Sequence, residues 1–170
     1  MRLIYFLCSM STINIRSITP TDNTSLANII RSTLKEYGAN HPGTVYYDES
    51  TDHLSDIFLA ARSAYYVAEI DGEVLGGAGI FPTEGLPNDT CELVKMYLHK
   101  SVRGKGLGKM LMLKCLQTAT DNGFAKVYLE TMPELVDAIP MYKKVGFQSL
   151  PAPIGNSGHH GCAIWMIKDL

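Results

Sequence analysis

The sequence Arg103-Gly104-Lys105-Gly106-Leu107-Gly108 stands between a predicted strand and a predicted helix. Glycine at alternate positions lets the backbone curl without Cβ clashes. The curl and the start of the helix direct several N–H groups into one concavity, where the helix dipole also favours negative charge. Arg103, Lys105 and Lys109 add positive charge around it. The pattern therefore predicts a phosphate-binding loop, with a pyrophosphate as the expected ligand.

Three phosphate-binding patterns compete for this loop. The P-loop pattern fails because Met110 stands where Ser or Thr is required. The dinucleotide pattern Gly-x-Gly-x-x-Gly fails because Gly104, Gly106 and Gly108 are one residue out of register. The third pattern, Gln/Arg-x-x-Gly-x-Gly/Ala, is matched in full by Arg103, Gly106 and Gly108.

The rest of the chain reads as strands mixed with helices. Hydrophobic periodicity and turn signals predict strands at 13–18, 65–70, 74–81, 91–98, 126–131, 147–150 and 162–167. They predict helices at 23–37, 53–62, 104–122 and 135–145. Asp71-Gly72 is a strong signal for a two-residue hairpin turn. This order of elements predicts an α/β (α+β) fold with a mixed sheet.

The loop and its surroundings resemble the GNAT superfamily of acyl-CoA-dependent N-acetyltransferases. The resemblance rests on the loop, on Glu92-Leu93-Val94-Lys95-Met96-Tyr97-Leu98 before it and on Met110-Leu111 after it. Further on, Ala138-Ile139-Pro140-Met141-Tyr142-Lys143-Lys144-Val145-Gly146-Phe147 is similar to the family signature Ala-x-x-x-Tyr-x-x-x-Gly-Phe. The resemblance covers residues 13–170 and is strongest from 91 to 147.

The resemblance implies a GNAT-like single domain with a central twisted sheet, mixed but mostly antiparallel, flanked by helices. It also implies that the sheet is splayed between the strand at 91–98 and the strand at 126–131. We expect residues 10–170 to form this N-acetyltransferase domain. Residues 1–9 are expected to be an N-terminal extension outside the fold, because Met10 offers an alternative start.

The resemblance implies that acetyl-CoA is the co-substrate, with its pyrophosphate on the glycine-rich loop and its thioester beside the splayed strand. The expected cofactor-binding residues are Met96, Tyr97, Leu98, Arg103, Gly104, Lys105, Gly106, Leu107, Gly108 and Lys109. The family often has Asn three residues before the signature alanine, where this chain has Leu135. One side-chain contact to the cofactor is therefore expected to be missing.

Two residues match catalytic positions of the family. Glu92 lies eleven residues before Arg103, where some members carry a general base. Tyr142 matches the tyrosine that protonates the coenzyme A thiolate. We expect direct attack by a primary amine in a ternary complex, because Cys91 and Cys115 belong to no recognisable Cys–His arrangement. Simpler alternatives stay open, namely a solvated strand carboxylate at Glu92 and an ordinary core tyrosine at Tyr142.

The acceptor amine is not specified by any motif. In the family it is shaped by segments that correspond here to residues 37–53, 82–89 and 151–160. The polar and aromatic candidates there are His41, Tyr46, Tyr47 and Glu84. A small amine, an amino acid or a protein N-terminus would each fit. His159-His160 is expected to be solvent-exposed, because no third metal ligand accompanies it.

Composition limits the function classes. The chain has 170 residues, 46% hydrophobic and 19% charged, with a net charge of -2, which predicts one globular domain. This balance gives no electrostatic reason to bind nucleic acid or an anionic membrane, and no apolar run reaches the roughly 20 residues that span a bilayer. The cysteines show no metal-ligand spacing, so no metal is expected and a reducing cytoplasm is the simplest setting.

The function predicted from the sequence is thus N-acetyl transfer by a monomer or homodimer. The competing hypothesis is a non-catalytic acyl-CoA-binding or sensing module on the same fold. Retention of both Glu92 and Tyr142 favours the enzyme, whereas Leu135 mildly favours the sensing module.

Overall fold

A computed structural model describes residues 12–170, and the expected extension at 1–9 lies outside this part of the chain. One seven-stranded sheet has the strand order β1-β2-β3-β4-β5-β7-β6. The strands are β1 (Ile13–Ser17), β2 (Ala64–Ile70), β3 (Glu73–Phe81), β4 (Thr90–Leu98), β5 (Lys126–Thr131), β6 (Gln148–Leu150) and β7 (Ile164–Asp169). The helices are α1 (Asn23–Glu36), α2 (Leu54–Ile57), α3 (Leu107–Asp121) and α4 (Ala138–Val145).

The hairpin between β2 and β3 turns at Asp71-Gly72, as predicted. Both residues have positive φ, 53° at Asp71 and 84° at Gly72. Positive φ at both central residues is what a type I′ turn requires, and this turn matches the twist of the strands it joins. The local sequence therefore determines the pairing of these two strands.

The sheet splays between β4 and β5, as the resemblance implied. These two strands are parallel and pair only at residues 90–92 with residues 126–128. All other neighbouring strands are antiparallel. Beyond Glu92 and Tyr128 the two strands separate, which opens the sheet from both faces. The predicted mixed, mostly antiparallel sheet is confirmed.

A bulge in β4 lies at the mouth of the splay. Gly77 of β3 pairs with Tyr97, but Gly79 pairs with Val94, so β4 carries an extra residue in this interval. Lys95 lies inside it with φ of 48°. A bulge bends its strand and re-aims the side chains that follow it. The residues after Lys95 are therefore redirected beside the opening.

The two faces of the sheet carry separate hydrophobic clusters. Tyr65 and Val67 of β2 are buried with α1 on one face. Ala68 lies in the cluster with α3 on the opposite face, and the partly buried Tyr66 packs against that cluster. This alternation follows from the two-residue period of a strand. The helices α1 and α3 therefore cover opposite faces of the sheet.

The glycine-rich loop delays the start of α3 by three residues relative to the predicted 104–122. Gly104 and Gly106 have φ of 75° and 86°, in the left-handed region. Those values are incompatible with a right-handed helix, so the helix begins at Leu107. The glycines therefore make the curl outside the helix and leave its N-terminus facing the loop.

Two other predicted helices are also shorter than expected. The segment 53–62 contains only one α-helical turn, because turns follow it and Arg62 has φ of 62°. The helix predicted at 135–145 begins at Ala138. Within residues 12–170, no helix combines the length and apolarity needed to cross a bilayer.

Candidate active site

The splay between β4 and β5 opens into two cavities, one on each side of the strand ends. The larger, of about 800 Å³, runs beside the glycine-rich loop and is called the loop groove. The smaller, of about 400 Å³, lies among the segments after α1, β3 and β6 and is called the inner cavity. Tyr97 and Leu135 line both. Two molecules bound in the two cavities would therefore meet at these residues.

The loop groove has a floor shaped for an anion. Gly104 and Gly106 line it, and a Cβ added at either residue would meet no atom within 4 Å. The space above the loop backbone is therefore open. The N-terminal N–H groups of the fifteen-residue helix α3 begin there. Unpaired N–H groups and the helix dipole make such a place favourable for phosphate.

The Arg103 side chain is already hydrogen-bonded to other residues of the protein. Its guanidinium donates to Glu36 at 2.9 Å, to Thr33 Oγ1 at 3.2 Å and to the Leu98 carbonyl at 3.0 Å. The side chain thus braces the loop against α1, and Glu36 neutralises its charge. A direct contact between its side chain and a phosphate stays a prediction that this geometry does not favour.

The other expected cofactor residues divide into two groups. The residues that line the loop groove are Met96, Tyr97, Leu98, Arg103, Gly104, Gly106, Gly108 and Lys109. Leu107 is buried in the core and contributes backbone only, and Lys105 lies outside the lining. Lys144 also lines the groove but was missed, because basic residues in the last turn of a helix are usually explained by the helix dipole.

Tyr142 lies in the wall of the loop groove. It is 7% exposed and its ring meets Phe147 edge-on, with the ring centroids 5.9 Å apart. Burial, with a smaller contribution from Cys162, raises the pKa of Tyr142 to about 12. The hydroxyl is therefore protonated throughout the neutral pH range. Tyr142 is therefore a packed residue that also lines the groove.

Glu92 lies in the inner cavity at the last paired position before the splay. It is only 4% exposed, so the alternative of a solvated strand carboxylate is wrong. Thr83 donates a hydrogen bond of 2.5 Å to Oε2. Burial, and then the nearby charge of Glu130, raise the pKa of Glu92 to about 7, although Thr83 opposes the shift. A carboxylate with this pKa can accept a proton near neutral pH.

Substituting Glu92 with Gln is expected to change how stability depends on pH. The folded pKa of about 7 exceeds the reference value of 4.5, so the parent loses stability as the pH rises through this interval. The variant has no group to ionise and can still accept the Thr83 hydrogen bond. Its free energy of unfolding should gain roughly 3 kcal/mol on the parent between pH 4 and pH 8. Urea titrations across this range measure the difference, and parallel curves would refute the buried ionisation.

Of the four predicted acceptor residues, only Glu84 lines the inner cavity. His41 lies outside it, with Nε2 3.7 Å from Glu134. Tyr46 and Tyr47 pack edge-on against each other outside the cavity, and Tyr47 is 60% exposed. The three predicted segments do contribute lining residues, which are Thr44, Val45, Asp48, Ser50, Thr83, Glu84, Asn156, Ser157 and His159.

A polar cluster at the inner cavity was not predicted. Asp48 Oδ2 accepts from Lys95 at 3.2 Å and lies 2.8 Å from His159 Nε2. His159 was expected to be solvent-exposed. Instead, it joins the loop before β7 to the segment after α1. Asp48 and His159 are 111 residues apart in the chain. No local pattern could have paired them.

Comparison with known proteins places this geometry in context. The sequence profile of the Acetyltransferase (GNAT) family matches residues 26–147. The uncharacterized N-acetyltransferase YjgM of Escherichia coli (strain K12) is 39% identical over 156 residues, covering 91% of this chain and 93% of that protein.

Solved structures share the fold. An acetyltransferase of the GNAT family from Staphylococcus aureus Mu50 superposes with a TM-score of 0.81 at 19% identity, covering 93% of this chain and 99% of that chain. The structure of yncA from Salmonella typhimurium with its cofactor acetyl-CoA gives a TM-score of 0.72 at 19% identity, covering 92% and 93% of the two chains.

Fold and relatives together define an acyl-CoA-dependent acetyltransferase. More particularly, the chain belongs to the acetyltransferase (GNAT) family, which confirms the resemblance drawn from the glycine-rich loop. Within the described residues no three His, Cys, Asp or Glu side chains are grouped so that they could hold a metal ion.

Proposed function

We propose that the protein transfers the acetyl group of acetyl-CoA to a primary amine by direct attack in a ternary complex. The observation that carries this proposal is the meeting of two cavities at Tyr97 and Leu135, with Glu92 on one side and Tyr142 on the other. The loop groove would hold acetyl-CoA, and the inner cavity the amine. A bound thioester supplies an electrophilic carbonyl and a thiolate leaving group.

The residues of the loop groove suit the cofactor. The open backbone of Gly104 and Gly106 suits the pyrophosphate, and Lys109 and Lys144 supply positive charge beside it. Residues 96–98, which follow the bulge, line the loop groove. A backbone N–H in this segment would donate to the thioester oxygen and stabilise the developing oxyanion. The Leu135 side chain offers no hydrogen bond, so the positioning of acetyl-CoA there depends on backbone groups.

Glu92 would remove the proton that keeps the amine unreactive. A lysine-like amine titrates near roughly 10.4, so at neutral pH almost all of it is protonated. An ordinary carboxylate is too weak a base to change that efficiently. The pKa of about 7 lies closer to that of the amine, and an acceptor bound in the inner cavity would lie beside Glu92, which lines its wall.

Tyr142 would act at the other end of the reaction. As the carbon–sulfur bond breaks, negative charge collects on the coenzyme A sulfur. The neutral Tyr142 hydroxyl can donate a hydrogen bond to it. Because a thiol titrates near roughly 8.5 and Tyr142 near 12, the hydrogen bond contributes more than complete proton transfer.

A covalent route through cysteine is not supported. Burial raises the pKa of Cys91 to about 12 and that of Cys115 further still. Cys162 lines the inner cavity, but burial raises its pKa to about 12 as well. Nucleophilic cysteines need the opposite shift. Initial rates at varied concentrations of both substrates should therefore give intersecting reciprocal plots, whereas parallel plots would indicate an acetyl-enzyme.

The pH–rate profile of Glu92→Gln tests the base. In the parent, kcat/KM should rise through about pH 7 as Glu92 ionises. At neutral pH the variant should be slower by about 10²–10⁴-fold, the usual contribution of a general base. It should recover partly toward pH 10, because more of the amine is already neutral. Overlapping profiles would remove Glu92 from the mechanism.

We further propose that the protein works in a reducing cytoplasm. Cys91, Cys115 and Cys162 are free thiols, which supports this setting. The inner cavity, at about 400 Å³, is of a size that suits a small acceptor more than a folded protein surface.

A further inference from the structure

The inner cavity carries an excess of negative charge. Four carboxylates line it, those of Asp48, Glu84, Glu92 and Glu130, against two basic residues, Lys95 and His159. Both basic residues are bound to Asp48, Lys95 at 3.2 Å and His159 at 2.8 Å. Within residues 12–170, Glu84, Glu92 and Glu130 take part in no ion pair. Three carboxylates therefore line the cavity without an ion-pair partner in the described part of the chain.

Glu92 and Glu130 form the deep part of this acidic wall. Glu92 pairs with Tyr128 across the two strands, and Glu130 follows two residues later on the same face of β5. Glu130 accepts hydrogen bonds from Tyr128 at 2.8 Å and from Ser157 at 2.6 Å. These neutral donors fix its orientation but leave its charge uncompensated.

Glu92 has unused capacity as an acceptor. It is 4% exposed and lines the cavity, and among the described residues Thr83 donates only to Oε2, which leaves Oε1 without a hydrogen bond. A carboxylate buried this deeply is costly when it is unpaired, and a neighbouring carboxylate increases the cost. A bound cation would remove both penalties.

We propose that the acceptor is a small amine with a second cationic group, and that Glu130, assisted by Glu84, binds that group while Glu92 receives the reacting amine. This inference rests on the proposed function and specifies its substrate class. An acceptor with a carboxylate near its amine would be repelled by the same wall. Lys95 cannot attract that carboxylate without first breaking its bond to Asp48.

Three acceptors of matched length test the proposal on the intact protein. 1,4-Diaminobutane, butylamine and 4-aminobutanoate differ only in the group that is remote from the reacting amine. With saturating acetyl-CoA, kcat/KM for the diamine should exceed that for butylamine by about 10- to 100-fold, as expected for one charge-assisted hydrogen bond. The value for 4-aminobutanoate should be the lowest. A diamine no better than butylamine would overturn the proposal.

Glu130→Gln identifies the residue responsible. In this variant, kcat/KM for the diamine and kcat/KM for butylamine should differ by no more than about threefold, because the amide keeps the shape of the side chain but not its charge. Glu73→Gln, on the exposed start of β3, is the matched control and should keep the parent ratio. An unchanged ratio in Glu130→Gln would overturn the assignment.

The acceptor panel also separates this inference from the proposed function. Acetylation of butylamine or 4-aminobutanoate at a rate equal to that of the diamine would overturn the inference and leave N-acetyl transfer standing. If acetyl-CoA binds and none of the three amines is acetylated, the inference fails, and the proposed function fails with it only if no other primary amine, amino acids and peptide N-termini included, supports thiol release.

Discussion

Replacing Gly106 with Asp is expected to abolish acetyl-CoA binding. Gly106 has φ of 86°, and a side chain there would project into open space at the loop groove. The Asp carboxylate would then occupy the position proposed for the pyrophosphate. Two like charges about 4 Å apart near a protein surface repel by roughly 4 kcal/mol, which weakens binding by about a thousandfold. Calorimetric titration with acetyl-CoA measures the loss.

Gly123→Asp is the control for the strain of placing an Asp residue at a backbone position with positive φ. Gly123 follows the opposite end of α3, has φ of 77°, and offers open space to a side chain, as Gly106 does. The two variants should melt at similar temperatures, but Gly123→Asp should bind acetyl-CoA like the parent. Parent-like affinity in Gly106→Asp, or tight binding of NAD or ATP without coenzyme A binding, would contradict the assignment of the loop.

Replacing Tyr142 with Phe should lower kcat by about 10²–10³-fold, the usual cost of removing one hydrogen-bond donor to a developing negative charge. The ring remains to pack against Phe147, so the groove keeps its shape. Only the hydroxyl that would stabilise the departing sulfur is lost. The affinity for acetyl-CoA should change little, because the hydrogen bond forms chiefly as the carbon–sulfur bond breaks. Steady-state rates at saturating substrates and a separate binding titration measure the two quantities.

Tyr66→Phe is the matched control, since Tyr66 bonds Thr118 of α3 outside both cavities. It removes the same atom at a site away from both cavities and should leave kcat near the parent value. If Tyr142→Phe turns over like the parent while chemistry limits the rate, Tyr142 is only a packing residue.

The parts of this protein that local chemistry determines were predictable. Positive φ at Gly104 and Gly106 is readily adopted only by glycine, so the curl before α3 could be expected from the sequence. Asp71-Gly72 specified the hairpin in the same way. The splay was not visible in any local pattern and came from the family resemblance. The burial of Glu92 likewise depends on the splay and on Thr83.

What sequence reasoning missed depends on contacts between distant segments. Arg103 was counted as a phosphate cation, but Glu36 on α1 engages its guanidinium. His159 was expected in solvent, but Asp48 reaches it across 111 residues. Aromatic residues next to Asp48 suggested an acceptor site, whereas the chain turns Tyr46 and Tyr47 away from the inner cavity. Side-chain direction in a loop is set by tertiary packing, which periodicity does not encode.

The release of free thiol from acetyl-CoA in the presence of an amine, with the amine product identified by mass, tests the central claim most directly. The account predicts thiol release that depends on the amine and equals the amount of N-acetylated product, in the parent and in Tyr66→Phe. Glu92→Gln and Tyr142→Phe should both be strongly impaired under the same conditions at neutral pH. Tight acetyl-CoA binding without thiol release in the presence of diamines, monoamines or amino acids would contradict the account and identify a binding or sensing module.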